Sequence, residues 1–436
     1  MEFLEEFLIY TQKKGVKDVE LFYQEVEKEH ISICDGEIEN FQLSKEGGLG
    51  IRVLRDCRQG FAYTNNLSNL DITLEKAIKA SEQMSEDDNI MFSKGSKGID
   101  IKEYKEDPPN YKKIEFLKEV EKKIYSKDKR IKRVKNVTWE KYKIRSFILN
   151  TLGTNLEYNY QYQYVYTEIG VSDGKDEKSS WDFKSGRVWD DIDFEDLVNK
   201  VTWKGTALLG AKSKKSQRAE IIIPPSQAKD ILSVFASAFS SDNVQKGKSI
   251  LKGLLGEKIA HDKLNIIEDP TSENAFIRRE FDDEGVKTKK KYLIKNGYLE
   301  EYLYNLYTAK KENKESTGNG ERINYRALPN VGFFNLFIEP GEKTEEEIIK
   351  TVKEGLYVFS LMGLHLIDPI SGDFSIGADG LWIRNGELAE PVCEVTISGN
   401  LKDFLKSIVD VGNNITFDNT VVSPTLRVIN IMIAGK

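Results

Sequence analysis

Five tyrosines at every second position constrain the fold of this chain more than any other feature of its sequence. They are Tyr158, Tyr160, Tyr162, Tyr164 and Tyr166, within the segment LEYNYQYQYVYTE. Side chains alternate between the two faces of an extended strand, so a strand here places all five tyrosines on one face. An aromatic stripe could bind a peptide or a sugar, but it is more often one packed face of a sheet. We therefore predict a strand that packs through its tyrosine face.

Alternating hydrophobic segments with turn residues between them predict antiparallel hairpins near the start of the chain. Asp35-Gly36 separates two alternating runs, which is a strong hairpin signal. The segments GGLGIRVL and GFAYT indicate another hairpin. Residues 2–14 and the segment LDITLEKAIKASEQM have helical spacing. A helix, antiparallel strands and a helix form an α+β unit.

The second half of the chain has a different order of predicted elements. Residues 221–223 predict a short buried strand, which two prolines end before a helix that begins near Ser226. Thr344 and Glu347 have capping-box spacing and predict the start of another helix. Residues 371–434 are mostly typical of strands, interrupted by the helical segment LKDFLKSIVDVG.

These patterns predict the fold class α+β with two lobes. The N-terminal lobe combines helices with antiparallel strands, and the C-terminal lobe is rich in mixed or antiparallel sheet. A chain of 436 residues is long enough for about two or three domains. We expect an N-terminal α+β domain at residues 1–100, a middle α+β region at 101–212 and a C-terminal domain at 213–436.

Charge and cysteine usage argue against several classes of function. The net charge of −7 gives no general attraction to nucleic acid or anionic lipid. The first residues are acidic, unlike a secretory signal, and no run of about 18 apolar residues predicts a membrane span. Cys34, Cys57 and Cys393 are far apart and fit free thiols in a reducing compartment. We expect a cytoplasmic protein with neither a nucleic-acid nor a membrane partner.

Histidine is too scarce for an ordinary zinc site. The chain contains only His30, His261 and His365. All three would have to converge on one ion, or carboxylates would have to take the place of the missing ligands. No P-loop, GxSxG elbow or dinucleotide fingerprint is present.

Three polar segments that contain glycine could carry other chemistry. Asp282, Asp283 and Glu284 could hold a cation or act as an acid–base pair, or form a solvated turn before a strand. STGNGER, at 316–322, could offer backbone N–H groups to an anion or a carbonyl, or be a plain turn. HLIDPISGDFSIGADGLW, at 365–382, could be a metal site, a phosphate cradle or strands with tight turns.

Read together, several segments resemble the TldD/PmbA family, known as modulators of DNA gyrase and classed with metallopeptidases. They occur in family order and span nearly the whole chain. The clearest are GGLGIRVL, FDDEGVKT, STGNGER, EEEIIKTVKEGLYV, MGLHLIDPISGDFSIGADGLWIRNGE and PVCEVTISGNL. The resemblance implies proteolysis.

The resemblance also bears on the metal. One branch of the family carries His-Glu-x-x-x-His on the first helix of the C-terminal half, where the histidines hold zinc and the glutamate serves as general base. The matching positions here are Leu232, Ser233 and Ser237. The catalytic branch also has a cysteine near its end, whereas Cys393 lies elsewhere. A catalytic zinc needs about three protein ligands. We therefore expect the PmbA (TldE) branch, with no catalytic residue and no metal in this chain.

This resemblance implies a metal-free subunit of a metalloprotease. The expected partner is a TldD-like catalytic subunit that supplies zinc, and the expected substrate is unfolded peptide. The alternatives are a homodimer that binds peptide on its own, or a hydrolase with a non-metal site built from Asp282, Asp283, Glu284 and His365.

The resemblance also implies that the SGDFS part of residues 365–382 lies near the central cleft, where it would meet the substrate. We predict two strands joined by a turn at Ala378-Asp379-Gly380, with edge strands that could receive an extended peptide. Seven residues are candidate substrate contacts: Asp242, Asp283, Thr317, Gly318, His365, Asp373 and Ser375.

Overall fold

A seven-stranded sheet with helices forms the N-terminal lobe. The structure is a computed structural model, and it describes residues 2–436. The elements of this lobe are α1 (Glu2–Lys13), β1 (Asp18–Cys34), β2 (Glu37–Arg55), β3 (Arg58–Thr64), α2 (Leu70–Glu82), β4 (Lys97–Asp100), α3 (Asn110–Lys127), β5 (Ile131–Asn150), β6 (Asn155–Ser172), β7 (Glu177–Gly186) and α4 (Phe194–Ala207). The strand order is β3-β2-β1-β5-β6-β4, and β7 also pairs with β6. Only the pair of β4 with β6 is parallel among the described strands of this sheet.

Both predicted hairpins of this lobe are confirmed. Asp35 and Gly36 join β1 to β2 with φ angles of 52° and 75°. Asp56 and Cys57 join β2 to β3 with φ angles of 49° and 57°. Two successive residues with positive φ match the right-handed twist of the paired strands.

The tyrosine segment is a strand, as predicted, and its two faces have different neighbours. Val165 and Ile169 lie on the opposite face and are buried in a core that includes residues of α3 and α4. On the tyrosine face, Tyr158 and Tyr160 pack against Tyr325 of the C-terminal lobe. The remaining three tyrosines are partly exposed.

The C-terminal lobe contains three sheets. Its elements are β8 (Gln217–Ile223), α5 (Pro225–Ala236), α6 (Ser241–Gln245), β9 (Ile266–Glu268), β10 (Lys291–Lys295), β11 (Tyr298–Leu299), α7 (Leu306–Lys311), β12 (Gly320–Glu321), β13 (Asn330–Val331), β14 (Leu336–Ile338), α8 (Glu345–Lys350), β15 (Glu354–Met362), β16 (Asp373–Arg384), β17 (Glu387–Asn400), α9 (Leu401–Ser407), β18 (Ile408–Val411), β19 (Val421–Val422) and β20 (Leu426–Ala434). The largest sheet has the order β17-β16-β15-β8-β20-β18, and β17 also pairs with β20. These pairings close five of its strands into a ring.

The predicted two-lobed α+β class is confirmed. The largest C-terminal sheet is mixed, because β15 pairs parallel with β8, whereas β16 pairs antiparallel with β15 and β17. Thr344 caps α8 in the predicted capping box with Glu347. Within residues 2–436, no helix has both the length and the apolar character that crossing a membrane requires.

The prediction of two strands in SGDFSIGADGLW was wrong. Residues Asp373–Arg384 form one continuous strand, β16, and the register against β17 shifts between Ala378 and Gly380. Local twist from such an irregularity replaces the expected turn. A Cβ at Gly380 would lie 1.9 Å from the carbonyl oxygen of Tyr357, so only glycine allows β15 and β16 to approach here. The glycine was a signal for a close backbone approach rather than for a turn.

Candidate functional site

Helix α5 and the residue that follows it contain the positions that the family resemblance assigns to the metal motif. Leu232 is only 3% exposed and lies in the core of the C-terminal lobe. Ser233 and Ser237 are exposed, one turn apart on the helix. Their hydroxyls donate to the carbonyl oxygens of Lys229, at 2.8 Å, and Val234, at 3.1 Å. One position is therefore buried and aliphatic, and the hydroxyls of the other two are bonded to their own helix.

These residues do not fit a zinc ion. Zinc requires imidazole, thiolate or carboxylate ligands that converge on one point. Within residues 2–436, no group of three or more histidine, cysteine, aspartate and glutamate side chains could hold a metal ion. Asp242, at the start of α6, binds Lys246 at 2.7 Å. This helix surface offers hydroxyls and a salt-bridged carboxylate in place of a ligand set.

Residues 362–375 form the neighbouring part of the same surface and contain three predicted contacts. His365 lies in a short 3-10 turn and is exposed, as are Asp373 and Ser375 at the start of β16. The side chain of Asn400 donates to Asp373 at 2.8 Å. We call the exposed face of α5 together with residues 362–375 the helix surface.

The start of β16 has a partner strand on one side only. Residues 373–376 pair with β17, whereas the pairing with β15 begins at Gly377, opposite Met362. The backbone N–H of Asp368 donates to the carbonyl of Asp373 at 3.0 Å, so the first residue of this strand edge already has a hydrogen-bond partner. The unpaired edge that remains is short, because from Gly377 onward β16 lies between β15 and β17. A peptide could add to this edge over about two or three residues.

The acidic segment FDDEG is buried between the lobes, so the solvated turn considered from the sequence was wrong. Asp282, Asp283 and Glu284 are 0%, 3% and 1% exposed. Gly285 has a φ of 82°, and a Cβ there would lie 2.9 Å from Ser93 Oγ of the N-terminal lobe. The segment therefore packs directly against the other lobe.

Backbone N–H groups of STGNGER bind this acidic turn. Gly320 donates to Asp282 Oδ2 at 2.7 Å, and Arg322 donates to Asp283 Oδ2 at 2.8 Å. The sequence indicated that this segment could bind an anion. It binds two carboxyl groups, and both belong to the same chain.

Thr317 and Gly318, two predicted substrate contacts, have structural partners here. The hydroxyl of Thr317 accepts the backbone N–H of Tyr304 at 2.8 Å and donates to Asn319. Gly318 has a φ of 73°, and a Cβ there would lie 2.6 Å from the carbonyl oxygen of Lys287. Neither the buried hydroxyl nor the tightly packed glycine is presented on the surface.

Arginines from both lobes surround the acidic turn. Arg52 of β2 donates to Glu20 of β1 at 2.9 Å, and Arg322 binds the same carboxylate. Arg279 and the hydroxyl of Tyr158 both bind Asp283. We call these groups, with Asp282 and Glu284, the interlobe ionic cluster. Glu20, Arg52 and Arg279 were missed by sequence reasoning, because none lies in a polar segment that it singled out for chemistry, whereas Arg322 is the last residue of STGNGER.

The interlobe ionic cluster contains more carboxyls than guanidinium groups. Three arginines face four carboxyls, Glu20 and Asp282–Glu284, all of them buried. Burial, together with their mutual repulsion in the case of Asp282, raises the pKa of both Asp282 and Glu284. One retained proton would balance the charge, which is the expected response of buried carboxyls with too few cations.

A cavity of about 130 Å³ lies beside the cluster. It is lined by residues of both lobes, including Tyr160, Arg279 and Glu321. Burial first, and then the charge of Asp283, raise the pKa of Glu321 from 4.5 to about 7. This carboxyl could exchange a proton near neutral pH, but no nucleophile and base pair is built around it.

Comparison with known proteins identifies one family along the chain. The PmbA/TldA metallopeptidase domain 1 matches residues 19–85, the central domain matches 103–209, and the C-terminal domain matches 216–435. The last match alone covers half of the chain.

Related proteins match over their whole length. A metalloprotease PmbA homolog of Buchnera aphidicola is 28% identical over 98% of this chain and 97% of its own. A crystal structure from Thermotoga maritima, described as a modulator of a DNA gyrase, has 28% identity and a TM-score of 0.89, with 99% of each chain covered. TldE from Thermococcus kodakarensis has 26% identity and a TM-score of 0.86, covering 99% of this chain and all of that one (100%). The chain therefore belongs to the PmbA/TldD family of metallopeptidase-like proteins.

Proposed function

We propose that this chain is the metal-free, TldE-like subunit of a two-chain metalloprotease that degrades or matures unfolded peptides. A TldD-like partner supplies the zinc and the general base. The observation that supports this most is that a buried leucine and two helix-bonded serines occupy the motif positions at α5. The similarity to a TldE structure agrees with this assignment. The three cysteines are free, which supports a cytoplasmic location.

The contribution of this chain is to form part of the chamber wall and to hold substrate. Its helix surface carries exposed apolar side chains at Met362, Leu366 and Ile370, with exposed fractions of 49%, 64% and 54%. Large exposed apolar side chains close together are typical of a binding surface. The open strand edge at residues 373–376 adjoins them and offers backbone hydrogen bonds to an extended peptide.

The direct test is reconstitution with a TldD-like protein that carries His-Glu-x-x-x-His. We expect cleavage of an unfolded fluorescent casein only when both chains are present. The zinc content, measured by mass spectrometry, should follow the partner and stay unchanged when this chain carries Ser233→Ala and Ser237→Ala. Cleavage by this chain alone that a chelator abolishes would refute the proposal.

A pair of surface variants tests the role in holding substrate. Met362→Lys places a charge on the helix surface, and we expect a several-fold higher KM of the two-chain enzyme with little change in kcat. Ile99→Lys is the matched control, because Ile99 is 73% exposed on the other lobe. Equal KM values for the two variants would exclude the helix surface from substrate binding.

A further inference from the structure

A second cavity between the lobes, of about 330 Å³, lies at the beginning of α5. Residues of β7 and α4 line it from the N-terminal lobe. The start of α5, β15 and the segment around residues 414–423 line it from the C-terminal lobe. Neither the interlobe ionic cluster nor the helix surface lines this cavity. Its volume is that of a ligand of about two or three amino-acid residues.

Lys229 is the feature of this cavity that indicates a ligand. The residue is 8% exposed, and its ammonium lies 4.3 Å from the centroid of the Phe183 ring. The nearest carboxylate oxygen belongs to Asp418, at 3.8 Å, which is too far for a hydrogen bond. Within residues 2–436, this ammonium has no hydrogen-bond acceptor. The residue is largely buried, yet its ammonium is held only by the Phe183 ring and, at 3.8 Å, by Asp418, so its three donors suit a ligand.

The other lysines of the cavity already have partners. Lys184 and Lys200 both bind Asp196, the latter at 2.9 Å. Lys204 binds Asp182 at 2.8 Å. Lys229 is therefore the one lysine in the cavity lining that is left without a hydrogen-bonded carboxylate.

The beginning of α5 adds to the attraction for an anion. The helix spans 12 residues, Pro225 occupies its first turn, and Pro225 and Ser226 line the cavity beside Lys229. Pro225 has no N–H, and the N–H of Gln227 donates to the carbonyl of Pro224 at 3.0 Å, so the helix dipole and the N–H of Ser226 supply the partial positive charge of this helix end. Lys229 and the helix end thus act on the same volume.

Two further features define the body and the charge of the ligand. Trp203, 39% exposed, and Phe359 pack edge to face at 4.6 Å, and Phe183 lies under Lys229, so the walls are aromatic. Six carboxylates and four lysines line the cavity. This excess of acids disfavours a dianion such as phosphate more than a monoanion, and Lys229, whose ion pair with Asp418 at 3.8 Å is the longest among the four lysines, suits a single negative charge.

We propose that this cavity binds an organic monocarboxylate with an apolar body, with the carboxylate on Lys229 and the body against Trp203 and Phe359. Such a group occurs at the carboxy terminus of a peptide and in a free N-acylated amino acid. The site lies within this chain, so it does not depend on a partner subunit.

Titration calorimetry on the purified full chain tests the site with four probes. These are N-acetyl-phenylalanine and N-acetyl-Ala-Ala-Phe, each as the free acid and as the amide. Loss of a charge-assisted hydrogen bond costs about tenfold or more in affinity, so we expect each acid to bind at least that much more tightly than its amide. Tighter binding of the tripeptide acid would identify a peptide terminus, and equal binding of both acids a single residue. Equal affinity of acid and amide, or no binding of any probe, would overturn the proposal.

Two variants with opposite expected effects guard against a merely structural result. Lys229→Met should abolish the preference for the acid, whereas Asp418→Asn should tighten acid binding several-fold because it removes the competing carboxylate. Lys246→Met is the matched control, since Lys246 directly follows α6, is exposed and binds Asp242. If Lys229→Met fails to fold, Asp418→Asn decides alone: unchanged or weaker acid binding would contradict the proposal.

Discussion

The interlobe ionic cluster and the helix surface make opposite uses of their polar residues. The cluster buries four carboxyls and three arginines, and each of Asp282, Asp283 and Glu20 is bound by several donors. The helix surface exposes Ser233, Ser237 and His365, with few bonds beyond their own segments. Dense, buried polar bonding holds the two lobes in one geometry, whereas exposed groups with few partners are available to another molecule. An acidic triplet that suggests catalysis in the sequence therefore has a structural role here.

The largest expected effect comes from breaking the cluster at Arg52. Arg52→Met leaves Glu20 and Glu284 with less counter-charge in a buried site, and we expect a loss of about 3–5 kcal/mol in the free energy of unfolding. Chemical denaturation measures it. Arg55→Met, on the same strand, is the control, because Arg55 is 42% exposed and its pair with Glu82, 3.6 Å apart, is worth at most about 1 kcal/mol. Equal losses in both variants would show that the cluster does not hold the lobes together.

The raised pKa of Glu321 should make the free energy of unfolding depend on pH. Its pKa is about 7 in the folded chain against an ordinary value of 4.5, so between these values the folded state binds more protons than the unfolded state. Stability is therefore lost as the pH rises from about 4.5 to 7. Glu321→Gln should raise the free energy of unfolding at pH 8 by about 2–3 kcal/mol and leave it nearly unchanged at pH 4.

The control for Glu321 is Glu315→Gln, at an exposed position in the loop between α7 and Glu321. Denaturation at several pH values compares the two variants with the wild-type chain. A Glu321→Gln curve that runs parallel to the wild-type curve from pH 4 to 8 would contradict the assignment.

A smaller effect on the free energy of unfolding is expected where the lobes contact each other through uncharged residues. A Cβ at Gly48 of β2 would lie 2.2 Å from the ring of Tyr325, so Gly48→Ala should cost about 1–3 kcal/mol. The cost should fall in a Tyr325→Leu background, because the smaller side chain leaves room, but not to zero, since the carbonyl oxygen of Thr64 would still lie 2.7 Å from the Cβ. Gly170→Ala on β6 is the control, since the nearest atom to a Cβ there is 3.9 Å away. An equal cost in both backgrounds would separate Gly48 from the contact with Tyr325.

The smallest effect is expected on the helix surface. Ser233→Ala combined with Ser237→Ala removes two hydroxyls that bond only to their own helix, so the free energy of unfolding should change by less than about 0.5 kcal/mol. Thermal unfolding measures this. A loss of several kcal/mol would mean that this face is as tightly bound as the cluster, and the contrast between the two regions would fail.

Sequence reasoning identified the polar segments of the cluster but could not identify their partners. FDDEG and STGNGER were both recognised as unusual, and the structure brings them together. Arg52 was missed, although Gly48, Gly50 and Arg52 alternate on one face of β2. Two glycines at every second position of a strand indicate that another backbone or side chain approaches closely, and this signal was available.

The sequence alone determined the local structure and the chemical content of this protein. Alternation predicts the tyrosine strand, turn dihedrals predict the Asp35-Gly36 hairpin, and capping predicts the capping box at Thr344. All three features involve residues that are close in the chain. The sequence also determined the side chains available on α5. The tertiary structure decided which acids are buried, since Glu20 and Arg322 meet across 302 residues. Burial and charge pairing depend on such distant neighbours, and they set whether a carboxylate binds a ligand or joins two lobes.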